Sequence, residues 1–175
     1  MWLPNIIAMA VFLFWINPLT AQSALEFRQL PKGVRDLVTE VRKSCKELDP
    51  DRKFDDMQGI LILNLNGDSA KDIVIDNEGL CGAQMAGGNC SNRGCDLTIF
   101  KETSRGQWRK IFEDHLHSKY LAIDLETMRL QLMVVSIYAG DPRCHPDPKK
   151  EYTSGKSCNL IVTYRNNNWN WQRIR

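Results

Sequence analysis

Residues 59–76 read GILILNLNGDSAKDIVID, Gly59 to Asp76: two apolar runs either side of a polar turn. Ile60, Leu61, Ile62, Leu63 and Leu65 before the turn, and Ile73, Val74 and Ile75 after it, are largely β-favouring and too short for a solitary helix. Between them Asn66, Gly67, Asp68 and Ser69 tolerate left-handed backbone or bond to their own main chain, so the stretch predicts a β-hairpin. A second pattern overlies the turn. Asn64, Asn66, Asp68 and Asp72 place oxygen-bearing side chains at relative positions one, three, five and nine, the layout with which a calcium loop wraps its ion. Only two of the four are carboxylates, the first is neutral, and Ser69 stands at the sixth position where calcium loops prefer Gly. A hairpin turn held by Asn and Asp side chains is therefore the leading reading and bound calcium the alternative, with no other cofactor indicated.

Upstream, Val34, Leu37, Val38, Val41, Cys45 and Leu48 recur at helical spacing between Arg35, Asp36, Glu40, Arg42 and Lys43. This predicts one amphipathic helix with its stripe against the domain, punctuated by Pro31 before it and Asp49-Pro50 after it. Downstream come three further hairpins: Asp96–Thr103 returning through Gln107–Phe112, Tyr120–Asp124 through Arg129–Tyr138, and Asn159–Tyr164 through Trp169–Ile174 about Asn166-Asn167-Asn168. Trp108 and Phe112 are expected on one side of their strand. Leu130, Leu132 and Val134 are expected to face opposite to Met133, Val135 and Ile137, which makes that strand central. The fold class is α+β: an N-terminal amphipathic helix packed on a mostly antiparallel meander of about four β-hairpins.

The chain has 175 residues, enough for one core, and a net charge of +2 from 23 basic and 21 acidic residues, so composition implies no strongly basic face and no nucleic-acid partner. Residues 1–23 contain no charged side chain; their apolar run ends at Asn17-Pro18, followed by small polar residues. This is the shape of a secretory signal cleaved between Ala21 and Ala24, too short to remain as a membrane span, with residues 24–175 as a single exported domain, periplasmic or secreted. All six cysteines lie in that domain, and an even number after an export signal reads as disulfides. The favoured pairs are Cys144 with Cys158 across a Pro-rich loop, Cys45 with Cys81, and Cys90 with Cys95, the last four being exchangeable among themselves. Zinc is the rival reading, but the spacing lacks close Cys-x-x-Cys pairs.

Candidate chemistry is sparse. His115 and His117, two apart on a strand, would share a face and could bind a metal with Glu113 or Asp114. His145 sits in the Pro-rich loop beside Cys144, Asp141 and Asp147. There is no G-x-S-x-G, H-E-x-x-H or phosphate-cradling Gly-Lys-Ser loop. Trp169 and Trp171, with Arg173 and Arg175 continuing their face, form a candidate surface for sugars, peptides or anions, or else an edge strand covering its own sheet. The glycine-rich loop 77–94, tied by cysteines, is a second candidate surface.

The order of a helix bearing Cys45, then LNLNGDSAKDIVID, Cys81, NCSNRGCDLTIF, a Gly106 hairpin and Cys144 with Cys158 resembles a group of small secreted bacterial proteins of unassigned function. Their Asp-x-Asn-Gly-Asp-Gly turn is similar to the half-repeats of integrin-type propellers, and here Asn64 and Ser69 replace the usual Asp and Gly. The resemblance implies an exported location and no particular activity. The expectation is an exported binding or structural module contacting an envelope polymer or a secreted protein. A secreted inhibitor of a wall-degrading enzyme and a small periplasmic hydrolase using His145 or the His115 and His117 pair are the alternatives.

Overall fold

A computed structural model describes residues 26–68, 70–82, 90–91, 93–104, 106–144 and 157–174. Residues 1–25, where a leader is expected, Ser69, residues 83–89 and 92 of the glycine-rich loop, Arg105, residues 145–156 of the Pro-rich loop with His145, and Arg175 lie outside the described residues.

A 3-10 turn (Phe27–Gln29) precedes helix α1 (Lys32–Leu48); β1 (Ile60–Leu63), β2 (Asp72–Asp76) and a short α2 (Asn77–Cys81) follow. Then come β3 (Cys90–Ser91), β4 (Gly94–Ser104), β5 (Gln107–Leu116), β6 (Ser118–Asp124), β7 (Arg129–Tyr138), β8 (Ser157–Arg165) and β9 (Asn168–Arg173). The chain is thus a mixed fold of mostly antiparallel strands with a few helices. The strands divide between two sheets rather than forming one. In the first, β1 pairs with β2 and β2 with β4, while β4 carries β5 along its other edge and the short β3 near its start. The second runs β6, β7, β8, β9 in sequence order.

The opening hairpin is the axis of this arrangement. In β2, Val74 belongs to a core between the sheets, with Leu63, Leu65, Leu97, Ile99 and Phe112 from one sheet and Met133, Val135, Ile137, Leu160 and Val162 from the other. Its neighbours Ile73 and Ile75 belong to a second core on the opposite face, with Val34, Val38, Val41 and Cys45 of α1 and Leu80 of α2. All three β2 side chains are fully buried, because a strand covered on both faces needs a continuous apolar run rather than alternation. Each such burial contributes about 1.5–3 kcal/mol. The result is three layers: helix, first sheet, second sheet. The apolar stripe of α1 is as expected through Cys45, but Leu48, its last residue, is exposed.

Two bulges re-aim side chains. Ile99 pairs with Phe112 and Phe100 with Lys110, so Ile111 is an extra residue in β5. Beyond it the alternation inverts: Phe112 enters the core between the sheets, whereas Trp108 packs against the helix-side core. The expected shared face of Trp108 and Phe112 is corrected accordingly. In β7, Ile123 pairs with Leu130 and Ala122 with Leu132, leaving Gln131 unpaired. Leu130 therefore joins Met133 and Val135 in the core instead of facing with Leu132 and Val134. The turn between β8 and β9 holds Asn166 and Asn167 at φ 51° and 62°, left-handed values that asparagine tolerates and a two-residue hairpin requires.

The cysteines pair as Cys45–Cys81, Cys90–Cys95 and Cys144–Cys158, with Cα separations of 5.5, 4.0 and 5.9 Å. Three disulfides fit an oxidising environment, and among the described residues no helix is long and apolar enough to cross a membrane.

Asp72, at the start of β2, is fully buried. Its Oδ2 accepts the Leu65 N–H at 2.8 Å and its Oδ1 the Glu102 N–H at 3.3 Å, so it ties the turn to β4. An asparagine there would aim its amide donor at one of those donors. Asp72→Asn is expected to lower stability by about 1–3 kcal/mol, read from the denaturant midpoint of the oxidised protein.

Candidate functional site

Helix α1 buries one stripe and leaves a second free. Thr39 stands three and four residues before Arg42 and Lys43, and these stand four and three before Lys46, which makes the four a cluster on one flank of the helix. The chain turns after α1, where Arg52 N–H bonds the Asp49 carbonyl at 3.2 Å, and Arg52, Lys53 and Phe54 join that flank in lining one groove. Arg42 holds the returning segment: its Nη2 donates to the carbonyls of Asp55 and Asp56, both at 2.7 Å. Its guanidinium lies 5.0 Å from the Phe27 ring centre and 5.5 Å from that of Phe54, and Arg52 stands 5.5 Å from Phe54 on its own account. Cys45–Cys81 anchors the last turns of α1 to α2 beneath.

The two segments enclose an open groove of about 730 Å³ lined by Thr39, Arg42, Lys43, Lys46, Arg52, Lys53 and Phe54. Five of the seven lining side chains are cationic and none is a carboxylate. Among the described residues, Lys43, Lys46 and Lys53 form no ion pair with an acidic side chain. Burial lowers Arg42 from its ordinary value, against the nearby charge of Asp56, yet a guanidinium stays charged in any protein. The arginines are held on aromatic faces while the lysines reach into solvent. That combination suits phosphate, sulfate or carboxylate groups repeated along a flexible ligand.

In the turn at 64–72 the side-chain oxygens of Asn64, Asp68 and Asp72 are hydrogen-bonded within the protein. Asn64 Oδ1 accepts the Gly67 N–H at 2.6 Å, and Asp68 Oδ1 accepts the Ala70 N–H at 2.8 Å. The amides of Asn64 and Asn66 donate to the Asp68 carbonyl and, at 2.6 Å, to Asp68 Oδ2. Asn64 also bridges the two sheets, accepting the Leu130 N–H at 3.0 Å and donating its own N–H to Met128 at 2.9 Å. Lys101, whose side chain is 10 % exposed, brings a positive charge to this turn: its Nζ lies 3.8 Å from Asp68 Oδ2, 3.4 Å from Asn167 Oδ1 and 5.4 Å from the centre of the Tyr164 ring. Burial works against the Asp68 charge, but the Asn66 amide, the Ala70 N–H and Lys101 hold it below the usual carboxylate range. Its contribution to stability is therefore lost as pH falls through that lowered value. Burial pushes Asp72 up despite its N–H donors and Lys101, so Asp72 acts in the opposite sense, favouring the fold less as pH rises.

Trp169 and Trp171 lie on β9, an edge of the second sheet, with half-buried rings turned onto the core. Phe112 stands 4.8 Å from Trp169 and 5.9 Å from Trp171, and Tyr164 is 4.7 Å from Trp169. Trp169 Nε1 donates to the Ile111 carbonyl at 2.9 Å. Arg143, paired with Asp114 and Asp141, covers Trp171 at 4.4 Å. Arg173, at the strand's end, is exposed. The histidines do not share a strand face as expected. His117 falls beyond the end of β5, while His115 bonds Asp96 at 2.7 Å; Asp114 is held by Arg143 and Glu113 by Lys110 at 2.6 Å. Among the described residues no group of His, Cys, Asp and Glu converges as a metal site.

Sequence reading treated Arg42 and Lys43 only as the wet side of a helix. The signal lay in the recurrence of Arg42, Lys43 and Lys46 and then Arg52-Lys53-Phe54 across an Asp-Pro turn. Comparison with protein-family models, curated proteins and solved structures found no match to this chain. Since backbone donors, the Asn66 amide and Lys101 already engage the side-chain oxygens of Asn64, Asp68 and Asp72, millimolar calcium is expected to leave the melting temperature where equal magnesium leaves it; a calcium-specific rise would show the ion displacing them.

Proposed function

We propose that this chain is an exported, disulfide-braced binding module that holds an acidic polymer of the cell envelope in the groove between α1 and residues 52–54. The observation that carries this reading is the groove lining itself: five cationic side chains without a carboxylate, on a helix pinned by Cys45–Cys81. Among the described residues Lys43, Lys46 and Lys53 have no acidic side chain paired with them, and an anionic partner would relieve their mutual repulsion. Export is supported by the signal-like residues 1–23, and by three disulfides that fit an oxidising compartment. A net charge of only +2 makes the cationic groove a local feature of a nearly neutral protein, which favours contact along one line of a polymer over general adhesion to anions.

The groove combines positive charge with one aromatic ring, Phe54, which supports a binding role. Exposed lysines supply attraction that salt screens within about 10 Å at 0.1 M, and the arginines supply fixed, directional donors.

Titration of the oxidised protein with polygalacturonate and with polyphosphate tests this. Binding to at least one is expected, weakening steadily with added salt. The triple substitution Lys43→Glu, Lys46→Glu and Lys53→Glu, all at exposed positions, is expected to weaken it at least about tenfold, roughly 1.4 kcal/mol, with the melting temperature little changed. Equal affinity in the triple variant would remove the groove from the reading, and tighter binding of an oligonucleotide of matched charge would replace the envelope polymer with nucleic acid.

A further inference from the structure

Away from the groove, the first sheet brings three polar side chains into a line. Asp96 on β4 and His115 on β5 are direct partners across the antiparallel ladder, and His115 Nδ1 lies 2.7 Å from Asp96 Oδ1. On the ring's far side, Nε2 lies 3.1 Å from the hydroxyl of Ser91 on β3. Because an ionised carboxylate only accepts, the proton of the neutral imidazole sits on Nδ1. Nε2 is then bare and accepts the Ser91 O–H. The Ser91 oxygen in turn accepts the Arg93 N–H at 3.0 Å, leaving its own hydrogen free for the histidine.

The alignment is built into the backbone. Ser91 pairs with Gly94 and Cys90 with Cys95 in the β3–β4 hairpin, and the Cys90–Cys95 disulfide closes that hairpin one residue from both Ser91 and Asp96. Gly94, at φ 125°, lies so close to the end of β5 that a Cβ there would meet the Leu116 carbonyl oxygen at 1.9 Å. Only glycine lets the serine hairpin lie flush against the strand that carries the histidine. Ser91 is exposed and the His115 side chain is 38 % exposed, so both are open to a small reagent, while the Asp96 side chain, at 23 %, is more sheltered.

We infer that Ser91, His115 and Asp96 form a nucleophile, base and positioning carboxylate that act on small acyl esters, a site separate from the groove and independent of the polymer-binding reading. In the first step the Ser91 oxygen bonds to the ester carbonyl carbon as its proton passes to His115 Nε2. The carbon–oxygen bond to the leaving group then breaks, and the departing alkoxide or phenoxide takes that proton. A water molecule, giving its proton to the same nitrogen, cleaves the acyl-serine, releasing the carboxylic acid and returning the proton to Ser91. Asp96 stays ionised throughout; it fixes the tautomer and steadies the imidazolium.

The test is covalent labelling of the oxidised protein with a fluorophosphonate, the adduct located by peptide mass spectrometry. Labelling is expected at Ser91 above every other serine, abolished at that site in Ser91→Ala, and slowed about a hundredfold or more in His115→Ala, the size of a lost general base. Added imidazole is expected to restore part of the His115→Ala rate, which a merely structural histidine would not allow. Asp96→Asn should slow labelling while the Cys90–Cys95 bond, checked by mass, remains. A Ser91 that labels no faster than other exposed serines, or equally fast without His115, overturns the inference.

Discussion

Strand β2 is buried on both of its faces, and the rest of the molecule is arranged to permit this. Ile73 and Ile75 demand an apolar cover on one side and Val74 on the other, so a helix and a second sheet must both pack against the same sheet. Neither cover is optional, since exposing any of these side chains forfeits about 1.5–3 kcal/mol. The helical cover is fastened by Cys45–Cys81, whose closure of a 36-residue loop contributes about 4 kcal/mol in the chain-entropy picture. The second sheet is fastened by the shared core and by Asn64, whose backbone pairs with Met128 and the first residues of β7.

The same constraint places the cationic groove. Once α1 is committed by Val34, Val38, Val41 and Cys45, its rotation about its own axis is fixed, and Thr39, Arg42, Lys43 and Lys46 have one place to be. Arg42 then captures the segment after the helix through two carbonyls, which brings Lys53 and Phe54 alongside. A packing decision on one side of a helix thus becomes an electrostatic feature on another. Lys101 is likewise fixed beside the opening turn, its ammonium 3.8 Å from Asp68 Oδ2 and 3.4 Å from Asn167 Oδ1.

What was legible in the sequence was local. The hairpin pairings, the α1 stripe through Cys45, the central place of β7 and the Cys144–Cys158 pair follow from patterns within a few tens of residues, whereas the sequence left the pairing among Cys45, Cys81, Cys90 and Cys95 exchangeable. What was hidden depends on register. A single extra residue, Ile111, inverts β5, so Trp108 and Phe112 part company, and Gln131 does the same for Leu130. Strand alternation gives Trp169 and Trp171 a shared face but not which side that face turns to, so a ligand surface and an edge strand covering its own sheet both stayed open; Phe112 and Arg143, from distant sequence, meet the rings and show the second arrangement. His115 found Asp96 rather than His117 because cross-strand register, invisible in the letters, decides polar partners. The division into two sheets was hidden for the same reason: a strand pair looks alike whether its neighbours continue it or fold over it.

Native-state hydrogen exchange reads the role of β2 most directly. With both faces covered and both edges paired, the amides of Ile73, Val74 and Ile75 should exchange only through global unfolding, with the same opening free energy and denaturant slope as the slowest amides of β7. If they instead open through a smaller, denaturant-insensitive fluctuation while β7 stays protected, β2 is not the strand on which the helix and the two sheets jointly depend.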